Sequence, residues 1–399
     1  MSRIKVLIVE DSPLVADILK NALESDPQLQ VVGIATNGQE AVEMTPRLAP
    51  DLITMDVWMP VMDGFATVEW IMANKPTPIL VITSSKLNQD VQISLRMLSA
   101  GALDVIEKPS LSDDEQWELR QAELIARVKL LAGVRVITHL RGKLHSTTKP
   151  NNPAPPSGPS VRAGGTRPLT RSAFNNLRSG VNRPGNNSAE TISFPERSFY
   201  RVIAVASSTG GPSALLAILR HLPPNLPCGV LIVQHISEGF TQGLVEWLQR
   251  EVPLNVRLAR SGEVPVPGEV LLPPDRHDME VSGGERIVTR NDGSSLLRPN
   301  ADVLFNSVAQ IYGPRAIGVI LTGMGSDGAK GIQTMYKAGA YTIAQDESTS
   351  LIYGMPRAAV ELGGVREVLK LDQIAPRLCK LLQQPIASDI RTGKEGSLR

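Results

Sequence analysis

The sequence predicts two α/β domains, each a doubly wound sheet, joined by a flexible basic linker. Three observations predict this. From residue 1 to 135 short β-branched runs alternate with amphipathic stretches. Residues 143–197 then hold eight Pro, seven Asn and eight Lys or Arg against only two acids, and their few apolar residues show no period. From 198 to 385 a second strand–helix alternation begins. Alternating strands and helices build parallel sheets covered on both faces, whereas a Pro-rich polar stretch cannot bury enough apolar surface to order itself. The expected division is a first domain over 1–135, a linker over 136–197, a second, mainly parallel domain over 198–385, and a disordered tail over 386–399.

In the first domain, "IKVLIV" (4–9), "VVGIA" (31–35), "DLITMD" (51–56), "PILVITS" (78–84) and "DVIEKP" (104–109) read as strands. The segment "SPLVADILKNALES" reads as a helix, with Ser12 as N-cap, Pro13 at the first helical position, and Leu14, Ile18, Leu19 and Ala22 on one face. Five such units make a five-stranded parallel sheet whose ligands sit beyond the carboxyl ends of its strands. Acids collect at that edge. Glu10 and Asp11 follow the first strand and Asp56 ends the third. Three converging carboxylates suit a hard divalent cation such as Mg²⁺. Thr83 ends the fourth strand and Lys108 the fifth, so an acceptor carboxylate would stand among a metal, a hydroxyl and an ammonium, the groups that stabilise a phosphoryl group in transfer.

This stretch resembles a response-regulator receiver domain over about 120 residues. The resemblance implies that Asp56 is the phosphoacceptor, that Glu10, Asp11 and Asp56 hold Mg²⁺, that Thr83 and Lys108 report the phosphoryl group, and that a sensor histidine kinase is the phosphoryl donor. Trp58 departs from the pattern, standing where related receivers commonly carry Glu; it is expected to alter access to the site rather than remove it.

In the second domain "RVIAVAS", "GVLIVQH", "EVLLPP" and "AIGVILTG" read as strands, and three of them run into polar signatures: "SSTGG", "QHISEGFT" and "TGMGSDGAKG". Ser, His and Asp appear in that order. Acyl transfer needs an alcohol, an imidazole to take its proton and a carboxylate to fix the imidazole tautomer, in contact but not in sequence, and strand ends bring such groups together. His235 directly ends a predicted core strand; His277 is its one competitor. Gly210 and Gly211 allow the sharp strand-to-helix turn a nucleophile needs, but spacing alone does not choose between Ser207 and Ser208.

Residues 198–385 resemble the catalytic domain of the chemotaxis protein-glutamate methylesterase family, and the order receiver, linker, esterase matches that family over nearly the whole chain. The motifs are "STGGP" at Ser208–Pro212, Gln234 and His235 with Gly239–Thr241, "LTGMGSDGA" at Leu321–Ala329, and "YGMP" at Tyr353–Pro356. The resemblance implies a nucleophile at Ser208, a general base at His235, Asp327 as its orienting acid, and the backbone N–H groups of Thr209 and Met324 as oxyanion donors. It further implies phosphorylation-activated hydrolysis of glutamate γ-methyl esters on methyl-accepting chemoreceptors, with glutamine deamidation as a second activity, and no cofactor in this half. Four departures stand out. Ser207 replaces a common Ala, Ser237 and Glu238 replace prolines and put an acid close to His235, and Pro274 replaces a Gly in "LLPPDRHDM".

Composition limits the alternatives. Lys and Arg number 41 against 40 Asp and Glu, and aromatics make up 4%, so neither a nucleic-acid coat nor a base-stacking surface is expected. The two cysteines, Cys228 and Cys379, are too few for a disulfide framework, and no run nears eighteen apolar residues. A cytoplasmic protein without membrane insertion is expected.

Overall fold

A computed structural model of the chain describes residues 3–83, 88–108, 114–134, 136, 193–195, 198–291 and 298–383. The tail expected over 386–399 lies outside the described residues, as does the linker expected over 136–197 apart from 136 and 193–195.

The first domain runs β1 (Ile4–Val9), α1 (Pro13–Glu24), β2 (Leu29–Ala35), α2 (Gly38–Leu48), β3 (Leu52–Met55), α3 (Gly64–Asn74), β4 (Ile79–Thr83), α4 (Asn88–Ser99), β5 (Asp104–Glu107) and α5 (Asp114–Leu131). The strands form one parallel sheet in the order β2-β1-β3-β4-β5. The order reverses between β1 and β3, so their carboxyl ends open the crevice in which ligands of such sheets bind. Asn37 and Asp63 cap α2 and α3 by accepting from the N–H groups of Glu40 and Ala66. Ser12 takes the N-cap position of α1 but makes no side-chain cap, so Pro13, which has no N–H to satisfy, marks that start instead.

The second domain runs β6 (Val202–Ser207), α6 (Gly211–Leu219), β7 (Gly229–Gln234), α7 (Thr241–Glu251), β8 (Asn255–Leu258), β9 (Glu269–Leu272), β10 (Asp278–Ser282), β11 (Arg286–Arg290), α8 (Ala301–Tyr312), β12 (Ala316–Ile320), α9 (Ala329–Lys337), β13 (Tyr341–Gln345), α10 (Met355–Glu361), β14 (Glu367–Leu369) and α11 (Leu371–Leu382). Seven strands make a parallel sheet in the order β14-β13-β12-β6-β7-β9-β8, while β10 and β11 pair apart as an antiparallel hairpin. Every residue of β6, β7, β12 and β13 is buried, as expected for strands with helices on both faces. The chain leaves β6 towards β7 on one side and later returns to its other side through β12. That reversal places the second crevice over the ends of β6, β7 and β12.

The domains meet through helices. α4 packs on α7, where the Gln92 side chain donates to the Gly243 carbonyl at 2.9 Å and to Glu246 at 3.2 Å and accepts from Arg250 at 2.9 Å. Ile352, in the loop after β13, is buried in one apolar cluster with Leu124, Val128 and Leu131 of α5.

Candidate active site

At the end of β6 the chain turns sharply. Gly210 holds φ +76°, and a Cβ there would lie 2.7 Å from that of Leu351; a Cβ on Gly211 would lie 2.0 Å from the side-chain oxygen of Gln234. Two glycines are needed because the turn is crowded from both sides. The turn leaves Ser208 almost buried, and its N–H donates to the Thr322 carbonyl at 3.0 Å. β7 delivers His235, whose N–H donates to the Ser207 carbonyl at 2.9 Å. Asp327 arrives in the loop after β12.

Asp327 Oδ2 lies 2.8 Å from His235 Nε2. The same carboxylate accepts from the N–H groups of Ala301 (2.7 Å), Asp302 (3.2 Å) and Gly328 (2.9 Å), so it closes the N-terminus of α8. Burial pushes its pKa up, but the hydrogen bonds from His235 and from the Ala301 and Asp302 N–H groups outweigh burial and hold the carboxyl below its ordinary value. An anion so fixed accepts a hydrogen bond from Nε2–H, the tautomer that leaves Nδ1 with its lone pair free. Ser208, His235 and Met324 line one cleft of about 360 Å³, together with Ile236, Ser237 and Arg298. Ser208 Oγ and the ring share this cleft without a direct hydrogen bond. Among the described residues neither the Thr209 nor the Met324 N–H has an acceptor, which leaves both for a ligand oxygen.

The remaining candidates separate cleanly. Ser207 is fully buried and donates to Gln234 Oε1 at 2.6 Å, facing the core rather than the cleft. His277 bonds locally, through Nδ1, to the Asp275 carbonyl at 2.8 Å. Glu238 pairs with Arg276 at 2.6 Å. Sequence reasoning missed three features: the Gln234 side chain, Arg298 on the cleft wall, and α8 as the anchor of Asp327. Only the last left a readable signal, in Asn300, which caps α8 by accepting from Val303. α5 of the first domain also reaches this cleft, through Glu123, Ala126 and Arg127.

In the first domain Glu10, Asp11 and Asp56 can bring one oxygen each to within 4.8 Å of one another. Lys108 Nζ lies 2.9 Å from Glu10 and 2.8 Å from Asp56, and its own N–H donates to the Thr83 carbonyl at 2.8 Å. Burial raises the pKa of both carboxyls, Asp56 further raising Glu10, while Lys108 opposes the shift. Crowded, poorly solvated carboxylates of this kind fit a divalent cation with oxygen ligands. Trp58 places its indole N–H 2.6 Å from Asp90 Oδ1, tying the loop after β3 to the start of α4.

Sheet order, strand-end chemistry and the pairing of two domains define a class: a response regulator whose output is a second α/β domain of hydrolase type. Comparison with known proteins narrows the class. Residues 203–378 match the CheB methylesterase family and residues 6–118 the response regulator receiver domain. A protein-glutamate methylesterase/protein-glutamine glutaminase of Syntrophus aciditrophicus is 40% identical over 95% of this chain and 98% of its own, and one from Symbiobacterium thermophilum is 38% identical over 94% and 96%. The CheB methylesterase catalytic domain of Thermotoga maritima is 34% identical, covering 46% of this chain and 98% of its own, with a TM-score of 0.44. The chain belongs to the CheB methylesterase family.

Proposed function

We propose that the chain is a protein-glutamate methylesterase that hydrolyses γ-glutamyl methyl esters on chemoreceptors, releasing methanol, and that deamidates receptor glutamines by the same route. The observation that carries this reading is that His235, held from behind by Asp327, lines the same cleft as Ser208. Ser208 Oγ attacks the ester carbonyl and His235 Nδ1 takes the hydroxyl proton, Nε2 being engaged by Asp327. The tetrahedral oxyanion faces the N–H groups of Thr209 and Met324. Collapse returns the proton to the leaving oxygen, methanol departs, and water attacking the acyl-enzyme by the reverse proton path frees glutamate and Ser208. An amide passes through the same intermediate and releases ammonia.

The first domain regulates this step. Glu10, Asp11 and Asp56 would hold Mg²⁺, which supplies charge neutralisation for phosphoryl transfer from a histidine kinase to Asp56. The added charge, about −1.5 to −2, falls where Lys108 now bridges Glu10 and Asp56 and beside Thr83, and it weakens the seat of α4 on α7 and of α5 over the cleft. Receptors and kinase are the partners, and the cytoplasm the compartment. Among the described residues no helix is long and apolar enough to cross a membrane. The test is methanol release from receptor fragments carrying methylated glutamates, with and without acetyl phosphate; no release under either condition overturns the reading.

A further inference from the structure

The Gln234 side chain is 97% removed from solvent, reaches no part of the cleft, and yet touches both strand ends that carry the reaction. Its relative exposure is 3%. Nε2 lies 2.8 Å from the Ser208 carbonyl and 2.8 Å from the His235 carbonyl, and Oε1 lies 2.6 Å from Ser207 Oγ. These contacts admit one orientation of the amide. Two carbonyl oxygens must face the NH₂ group, because the flipped amide would set oxygen against oxygen twice. Oε1 is then left for Ser207, whose hydroxyl has to donate. The two carbonyls thus select the orientation, the serine hydroxyl holds the amide oxygen, and the glycine at 211 leaves the space, since a Cβ there would overlap Oε1.

We propose that Gln234 is a positioning residue: its amide bridges the Ser208 and His235 carbonyls and so sets the separation of nucleophile and base, with the Ser207 hydroxyl holding the amide oxygen in place. The proposal rests on Ser208 and His235 acting as nucleophile and base. A buried amide with all its bonds made is stiff, and a half-met one is costly. Removing it takes one donor from the Ser208 carbonyl, which keeps only the Gly211 N–H at 2.7 Å, and the side-chain donor from the part-buried His235 carbonyl, at the two backbones whose spacing decides the proton transfer. A displacement of about 1 Å there is enough to slow such a step strongly.

The experiment uses full-length wild type, Gln234→Met and Ser207→Ala. A fluorophosphonate, which needs an activated serine but no particular substrate, is the probe; its rate of attachment, the residue it labels and its pH profile are measured beside each variant's thermal midpoint. Gln234→Met is expected to label Ser208 at least about tenfold more slowly, with a pH profile that departs from wild type, and Ser207→Ala about threefold more slowly. Adding Ser207→Ala to Gln234→Met slows labelling no further, because the hydroxyl then has no amide oxygen to hold. A merely structural role would lower the midpoint but leave the rate and pH profile of the folded protein unchanged, and that result overturns the proposal. If Gln234→Met does not fold, Ser207→Ala decides: wild-type labelling overturns it. Labelling at a residue other than Ser208 in wild type would remove the catalytic reading itself, and this proposal with it.

Discussion

Asp327 holds the His235 ring with the same carboxylate that closes the N-terminus of α8. Replacing it with Asn keeps the shape but turns a fixed acceptor into a group that also donates, so the imidazole can take the wrong tautomer. Asp327→Asn is expected to lower kcat by roughly 10³-fold or more with KM within a few-fold, as steady-state methanol release will tell. The same residue sets a pH dependence. Its folded pKa lies below the ordinary carboxyl value, so its stabilising contribution is present above that value, about 3.9, and is lost as pH falls through the folded pKa. Urea unfolding should therefore separate wild type from Asp327→Asn at neutral pH and narrow the gap as pH falls below the ordinary carboxyl value; a constant gap would contradict the shift. At the neighbouring serines the expectation is unequal. Ser208→Ala should fall to background, whereas Ser207→Ala, facing the core, keeps activity within a few-fold.

At the scale of elements, the turn from β6 into α6 is where sequence and geometry agree most closely. Gly211→Ala forces a Cβ against Gln234, and overpacking of that kind costs about 1–3 kcal/mol and moves Ser208 as well. Both the unfolding midpoint and the methanol release rate should drop. At the ends of β1 and β3, Glu10 and Asp56 have raised pKa values, which means their ionised forms weigh against the fold at neutral pH. Mg²⁺ should raise the thermal midpoint at pH 7, and less so as pH falls towards the raised values; Asp56→Asn should blunt the effect. The five strands of the first sheet were legible because each is a short apolar run closed by a turn residue or an acid. In the second domain β8, β10, β11, β13 and β14 went unread. β14 has three residues and no room for a period, β13 is a short, wholly buried run that abuts a helix end, and the hairpin strands mix charge with apolar residues as freely as a loop does. Site residues at strand ends were legible because a parallel sheet gathers those ends at one edge. The role of Gln234 was not, since it depends on a side-chain orientation set by two backbone carbonyls, and neither was the α8 anchor, whose Ala301 N–H lies 26 residues from Asp327 in the chain.

At the scale of the whole molecule, α5 supplies Glu123, Ala126 and Arg127 to the cleft that holds Ser208, and α4 fastens the domains through Gln92. Cutting that fastening should free the cleft without touching it. Gln92→Ala combined with Arg250→Ala is expected to raise unphosphorylated methanol release several-fold and to shrink the further gain from acetyl phosphate; an unchanged basal rate would argue against occlusion. Asp56→Ala should keep the basal rate and ignore the phosphodonor. The Gln92 contact has a further consequence, for how such a chain can be rebuilt. Its amide is met on both sides, by the Gly243 carbonyl and Glu246 on one and by Arg250 on the other, so the match is written into two surfaces that lie more than a hundred residues apart in sequence. A receiver borrowed from another regulator would still take up phosphate, but without a glutamine at that point of α4 it would hold the esterase loosely and leave it running. Only chimeras that carry α4 and α7 from the same parent would keep the enzyme silent until called.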